Sequence, residues 1–174
     1  MRKFLDGLYH ISGAIAGVLI LAICVLISCQ ILLNGLGRMF GQILPTTIPS
    51  YADFSGYMLA ASSFLALAHT LRSGGHIRVN LIMQTMSKNL QVLFETISLI
   101  ISISLVGYAT WFMAKLVQES IHYGDKSSGI IPIPLGIPQS VVLIGLIILL
   151  IALIDTFVEL LRKREPILTS ADEV

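Results

Sequence analysis

Charged residues divide this chain into long apolar blocks. No Asp, Glu, Lys or Arg occurs in 7–37, a run of 31 residues. Further charge-free runs cover 54–71, 96–114 and 127–154, with 18, 19 and 28 residues. A helix needs about 20 apolar residues to cross the hydrocarbon core of a bilayer. The pattern therefore predicts four transmembrane helices, at about 11–34, 52–71, 93–116 and 137–159. Strand-type alternation is absent over these lengths. Lipid cannot satisfy open backbone groups, which leaves helices as the spanning element.

The segments between the blocks differ from one another. Residues 35–51 contain Pro45 and Pro49, and residues 117–136 contain Gly124, Gly129, Pro132, Pro134 and Gly136. Both read as turns and short extended pieces. The segment 72–92 has apolar Val79, Ile82, Met83, Met86 and Leu90 at helical spacing, with Arg78, Gln84, Thr85 and Lys88 elsewhere on the wheel. It predicts an amphipathic helix at about 76–90, suited to the membrane surface. An ordinary loop helix is the alternative. The fold class expected is an all-α integral membrane protein, one membrane domain over 1–174, with this interfacial helix between helices 2 and 3.

Composition agrees with the pattern. Hydrophobic residues make up 55% of the 174 and charged residues 12%, with a mean hydropathy of +0.87. Soluble domains carry about 25% charged residues. The net charge of +1 supplies no basic stripe for nucleic acid. Lys and Arg are distributed unevenly. Eight of the 11 fall on the side shared by the termini: Arg2, Lys3, Arg72, Arg78, Lys88, Arg162, Lys163 and Arg164. Arg38, Lys115 and Lys126 fall on the other. The positive-inside rule puts both termini in the cytoplasm. Arg2 and Lys3 resemble the start of a secretory signal, but the apolar run is far too long for one and no small-x-small site ends it. The first helix is read as retained.

Chemistry-bearing motifs are sparse. Cys24 and Cys29 sit five apart inside an apolar run and match no metal or redox pair. No Ser-His-Asp constellation, metal motif or phosphate loop occurs, so no enzymatic activity is expected. Asp53, Glu95, Asp155 and Glu159 all lie near span ends rather than at a midplane, where a carrier usually keeps its site. Gln30, Asn34 and Arg38 form a polar stripe at i, i+4, i+8, read as an inter-helix or inter-subunit seam. Snorkelling explains Arg38 equally well. Asp155, Glu159 and Arg162 read as an exposed, self-paired helix end, and Lys115 with Glu119 as another i,i+4 pair. Gly13 with Gly17, and Gly56 with Ala60, permit close helix approach. His10 and His69 both lie near the inner boundary, which keeps a haem-binding redox anchor as a rival reading. An autonomous homo-oligomeric carrier is a second rival, and a bundle with no transport role a third.

Three patches carry a family resemblance: N-G-L-G-R-M-F from Asn34; S-Y-A-D-F-S-G-Y followed by L-R-S-G-G-H-I-R-V-N-L; and G-D-K-S-S-G-I-I-P-I-P from Gly124, with Pro138 and Gly145 beyond it. The chain resembles the small membrane subunit of tripartite ATP-independent periplasmic (TRAP) transporters, the DctQ/SiaQ-like proteins. It departs from their pattern with Tyr51 for Trp, Asp53 for Glu and Asn80 for Asp. The resemblance implies a bacterial inner-membrane protein that braces a large elevator-type subunit and helps dock a periplasmic substrate-binding protein. The transported substrate would be an organic acid, sialic acid or a C4-dicarboxylate. Sodium ions would sit in the large subunit, and this chain would hold no cofactor. Gln30, Asn34 and Arg38 would face the large subunit or the outer surface. Tyr51, Asp53, Lys126, Ser127 and Ser128 would face the binding protein. Arg72, His76, Arg78 and Lys88 would anchor the inner end among lipid headgroups.

Overall fold

A computed structural model describes residues 2–40, 47–73 and 87–163. It contains four helices long and apolar enough to cross a membrane: α1 (Arg2–Phe40), α2 (Tyr51–Arg72), α3 (Lys88–Tyr123) and α4 (Gly136–Lys163). The described residues form no sheet, only an isolated antiparallel bridge between Lys126 and Pro134. Most of the expected interfacial helix, with His76 and Arg78, lies outside the described residues. Its last three positions, 88–90, belong to α3.

Two helices outrun the spans expected for them. α1 has 39 residues and α3 has 36, or roughly 58 and 54 Å at 1.5 Å per residue. The hydrocarbon core is only about 30 Å thick. Apolar length marks where a helix enters lipid, whereas helix breakers mark where it ends. Residues 117–123 contain no Pro or Gly, so α3 runs on past Leu116 until Gly124. Gly124 adopts φ 68°, a left-handed cap that favours glycine. Behind it the Asp125 N–H donates to Ser120 O at 3.0 Å. At the other end of α4, Pro138 falls in the first helical turn, where its missing N–H costs no helical bond.

The helices pack in the order α1–α2–α4–α3, with only slight contact between α1 and α4. α2 and α4 run parallel in the centre, and α1 and α3 flank them in the opposite direction. On α4, Gly145, Leu149, Ala152, Thr156 and Glu159 are buried at i, i+4, i+7, i+11 and i+14. The core gathers Tyr9, Ala16, Leu65, Ala68, Leu99, Ala152 and Leu160, among others. Ala68 and Ala152 are completely buried, because small side chains let backbones approach. A Cβ on Gly145 would stand 2.7 Å from the Phe64 carbonyl carbon, and one on Gly13 2.7 Å from the His69 ring. Ser12, itself buried, donates its hydroxyl to Leu65 O at 2.8 Å, stitching α1 to α2. Gly17 and Gly56 face open space, so the second glycine of the first small-residue pair and the first of the other make no close approach.

The outer helices leave apolar surface uncovered. On α1, Phe4, Ile11, Val18, Val25, Leu32 and Met39 recur at every seventh position and are exposed. α3 exposes Leu105, Tyr108, Trp111 and Phe112.

The Gly145 contact is with backbone, which cannot swing aside. Gly145→Ala is expected to cost about 1–3 kcal/mol by overpacking, and Gly17→Ala to be neutral. Thermal unfolding of the two variants in detergent checks this, with a lowered Tm for the first alone.

Candidate functional site

Polar side chains cluster at the two ends of the bundle. At the end with the basic bias, Glu159 of α4 is 8% exposed. Its Oε1 accepts from Arg2 Nη2 at 2.6 Å and lies 2.8 Å from Lys163 Nζ. Its Oε2 lies 3.3 Å from Arg72 Nη1. Arg72 Nη1 also approaches Asp155 Oδ2 at 3.8 Å and donates to Thr156 Oγ1 at 3.4 Å. Thr156 in turn donates to Ala152 O at 2.8 Å. One carboxylate thus ties α1, α2 and α4 together.

This corrects the expectation of an exposed, self-paired end on α4. Besides Lys163 on its own helix, Glu159 reaches cations 157 and 87 positions away in sequence. Arg72, expected as an interface anchor, has a side chain only 17% exposed and serves as an internal tether. Lys88 is exposed at the start of α3. Beside Arg72 lies a cavity of about 190 Å³ lined by Asp6, Tyr9, His10, His69, Arg72 and Ser73. The His10 and His69 rings meet there, with centroids 5.1 Å apart. Glu95 is buried near the same end of α3.

At the opposite end, two short connections fold onto helix termini. Gln30 is 3% exposed, and its Oε1 accepts from the Ile48 N–H at 2.7 Å. This removes Gln30 from the outward surface on which Asn34 and Arg38, one and two turns further on, are exposed. Ser50 precedes α2 in a left-handed conformation, φ 55°. Its hydroxyl accepts from the Ile131 N–H at 2.9 Å rather than capping its own helix. Residues 125–135 form a hairpin closed by Ser127 N–H to Ile133 O and Leu135 N–H to Asp125 O, each 2.9 Å. Gly129 sits against Asp53 and Ser50, leaving no room for a side chain.

The structure therefore brings Asp53 and the 126–128 segment into one outer surface. Lys126 and Ser128 are exposed, and Tyr51 and Asp53 are partly buried. Ser127 is occupied structurally: its Oγ accepts from the Ile133 N–H at 3.0 Å and donates to Ile131 O at 3.3 Å. Lys115 does not reach forward to Glu119 in an ion pair. It turns back over Trp111 and Phe112, 5.4 and 6.0 Å from their ring centroids, within cation–π range. Past it, Lys115, Gln118, Glu119, His122 and Tyr123 line an open groove of about 430 Å³.

The inner cluster makes a ranked prediction. Arg2 and Lys163 have side chains 62% and 54% exposed, so each contact is worth about 0–1 kcal/mol. Arg72 is mostly buried and bonds a buried charge, for which about 1.5–3 kcal/mol is usual. Arg72→Gln should lower Tm clearly more than Arg2→Gln or Lys163→Gln, measured by thermal unfolding in one detergent. Equal losses would show that the contact is solvent-screened throughout.

The chain matches the family model described as "Tripartite ATP-independent periplasmic transporters, DctQ component" over residues 23–163. No curated protein and no solved structure matches it. The matched stretch begins within α1 and ends with α4, so it includes both outer connections and most of the four-helix frame. The chain belongs to the DctQ family and is a small membrane subunit of a TRAP transporter, a multi-pass protein of the inner membrane.

Proposed function

We propose that this subunit braces the large elevator-type subunit and helps dock the periplasmic substrate-binding protein, for sodium-coupled uptake of an organic acid, sialic acid or a C4-dicarboxylate. The observation that carries the reading is the distribution of its exposed groups. Apolar surface lines the two flanking helices, and the ionisable clusters described above lie at the bundle ends. The seven-residue spacing on α1, from Phe4 to Met39, suits a long seam against another helix. Asn34 and Arg38, exposed on another face of the same helix, offer polar contacts to the large subunit. Substrate and sodium would then be held in the large subunit, with no cofactor in this chain.

The outer hairpin supports the docking half of the reading. Lys126 and Ser128 are carried on a segment pinned to α2, so they present a fixed surface to a soluble partner. Fixed surfaces lose less entropy on binding than mobile ones.

Two variants separate the roles. Arg38→Ala combined with Asn34→Ala should reduce recovery of the large subunit when this chain is purified from membranes in mild detergent. Lys126→Glu should leave that recovery intact and weaken binding-protein-dependent uptake, most visibly at low salt, where charge contacts are least screened. Uptake by this chain alone in proteoliposomes would overturn the brace.

A further inference from the structure

We infer that the cavity between the inner ends of α1 and α2 binds the headgroup of a phosphatidylethanolamine-type lipid from the cytoplasmic leaflet. The chemistry recognised is a phosphate ester carrying a primary ammonium.

The first argument is an unfilled hydrogen bond. Tyr9 is 2% exposed, lines the cavity, and its hydroxyl has no hydrogen-bond partner among the described residues. Buried polar groups are paired in folded proteins, and one left unpaired marks a missing ligand or water.

The second argument is charge. The cavity wall carries Arg72 and Asp6 together. Among the described residues the contacts of Arg72 run through Nη1, and Nε and Nη2 find no acceptor there. Tyr9 adds a hydroxyl donor, and the His10–His69 pair adds imidazole nitrogens, whereas the Ser73 hydroxyl already donates to Thr70 O at 3.4 Å. A phosphate oxygen fits the donors. Asp6, when ionised, can only accept, and a cationic donor is its best partner. An anion without an amine would meet the Asp6 carboxylate unpaired, and a simple cation would meet Arg72. A zwitterion satisfies both. A primary ammonium donates three hydrogen bonds, whereas a quaternary one donates none.

The third argument is position. Asp6 immediately precedes the charge-free run 7–37, and Arg72 immediately follows 54–71. The cavity thus lies where hydrocarbon gives way to headgroups. Further along the same face of α1, Ala14 is exposed and Gly17 meets open space, which leaves width for an acyl chain.

The test uses the full chain, purified in detergent and stripped of lipid. Phosphatidylethanolamine, phosphatidylcholine and phosphatidylglycerol with matched acyl chains are added in turn, and soluble phosphoethanolamine separately. Tm and native mass spectrometry are the readouts. Phosphatidylethanolamine should give the largest rise in Tm and remain bound at one per chain. Tyr9→Phe, which keeps the ring, and Asp6→Asn should each weaken that binding at least about tenfold. Equal effects of all three lipids overturn the site, as does an unchanged response in both variants. A stronger response to phosphatidylglycerol overturns the ammonium contact. A response to soluble phosphoethanolamine without one to the lipid overturns the membrane source.

Discussion

The carboxylate of Glu159 is the point on which the arrangement of three helices turns. Inside a bilayer, apolar side chains gain nothing by leaving lipid for one another, so packing and polar contacts must specify which helix lies where. Glu159 has two oxygens and faces cations from α1, α2 and its own helix. Away from that cluster, specificity comes from close fit: Gly145 against the Phe64 backbone, and Ser12 bonded to Leu65 O. One end of the bundle is held by charge and the middle by contact distance.

The outer end uses a third device. Backbone N–H groups in the two short connections are accepted by side chains of helical or cap residues, Ile48 by Gln30 and Ile131 by Ser50. Each contact satisfies a donor that would otherwise need water, and each fixes a loop to a helix end. The surface at this end of the bundle is therefore part of the frame rather than an appendage to it. On the inner side the cavity beside Arg72 has a comparable place, since its wall includes the residue that tethers α2 to α4.

Much of this frame was legible in the sequence, and the reason is electrostatic. A charge is costly in lipid, so charge-free runs expose the spans directly. The ends of α1 and α3 were not legible from the same rule, because a helix continues into water until something like Gly124 stops it. Glu159 was read as part of an exposed local pairing, whereas it is buried and pairs with Lys163 and with two cations of other helices. Its two longer-range partners lie on other helices, and spacing within one helix carries no trace of them. Gln30 was read as part of an inter-helix or inter-subunit polar seam, and its acceptor role toward Ile48 depends on how 47–50 folds back. The family resemblance rested on Arg38, on the region around Arg72 and on 124–134. Arg72 and the 124–134 segment prove to hold elements together.

The parallel pair α2 and α4 is tied near both extremities: Ser50, just before α2, to Ile131 in the hairpin that leads into α4 at one end, and Arg72 to Asp155 and Glu159 at the other. In mechanical terms this is a beam clamped at two supports. Axial slip by one helical turn, about 5.4 Å, would have to break both clamps together. A neighbour pushing along the membrane normal would therefore meet a rigid post.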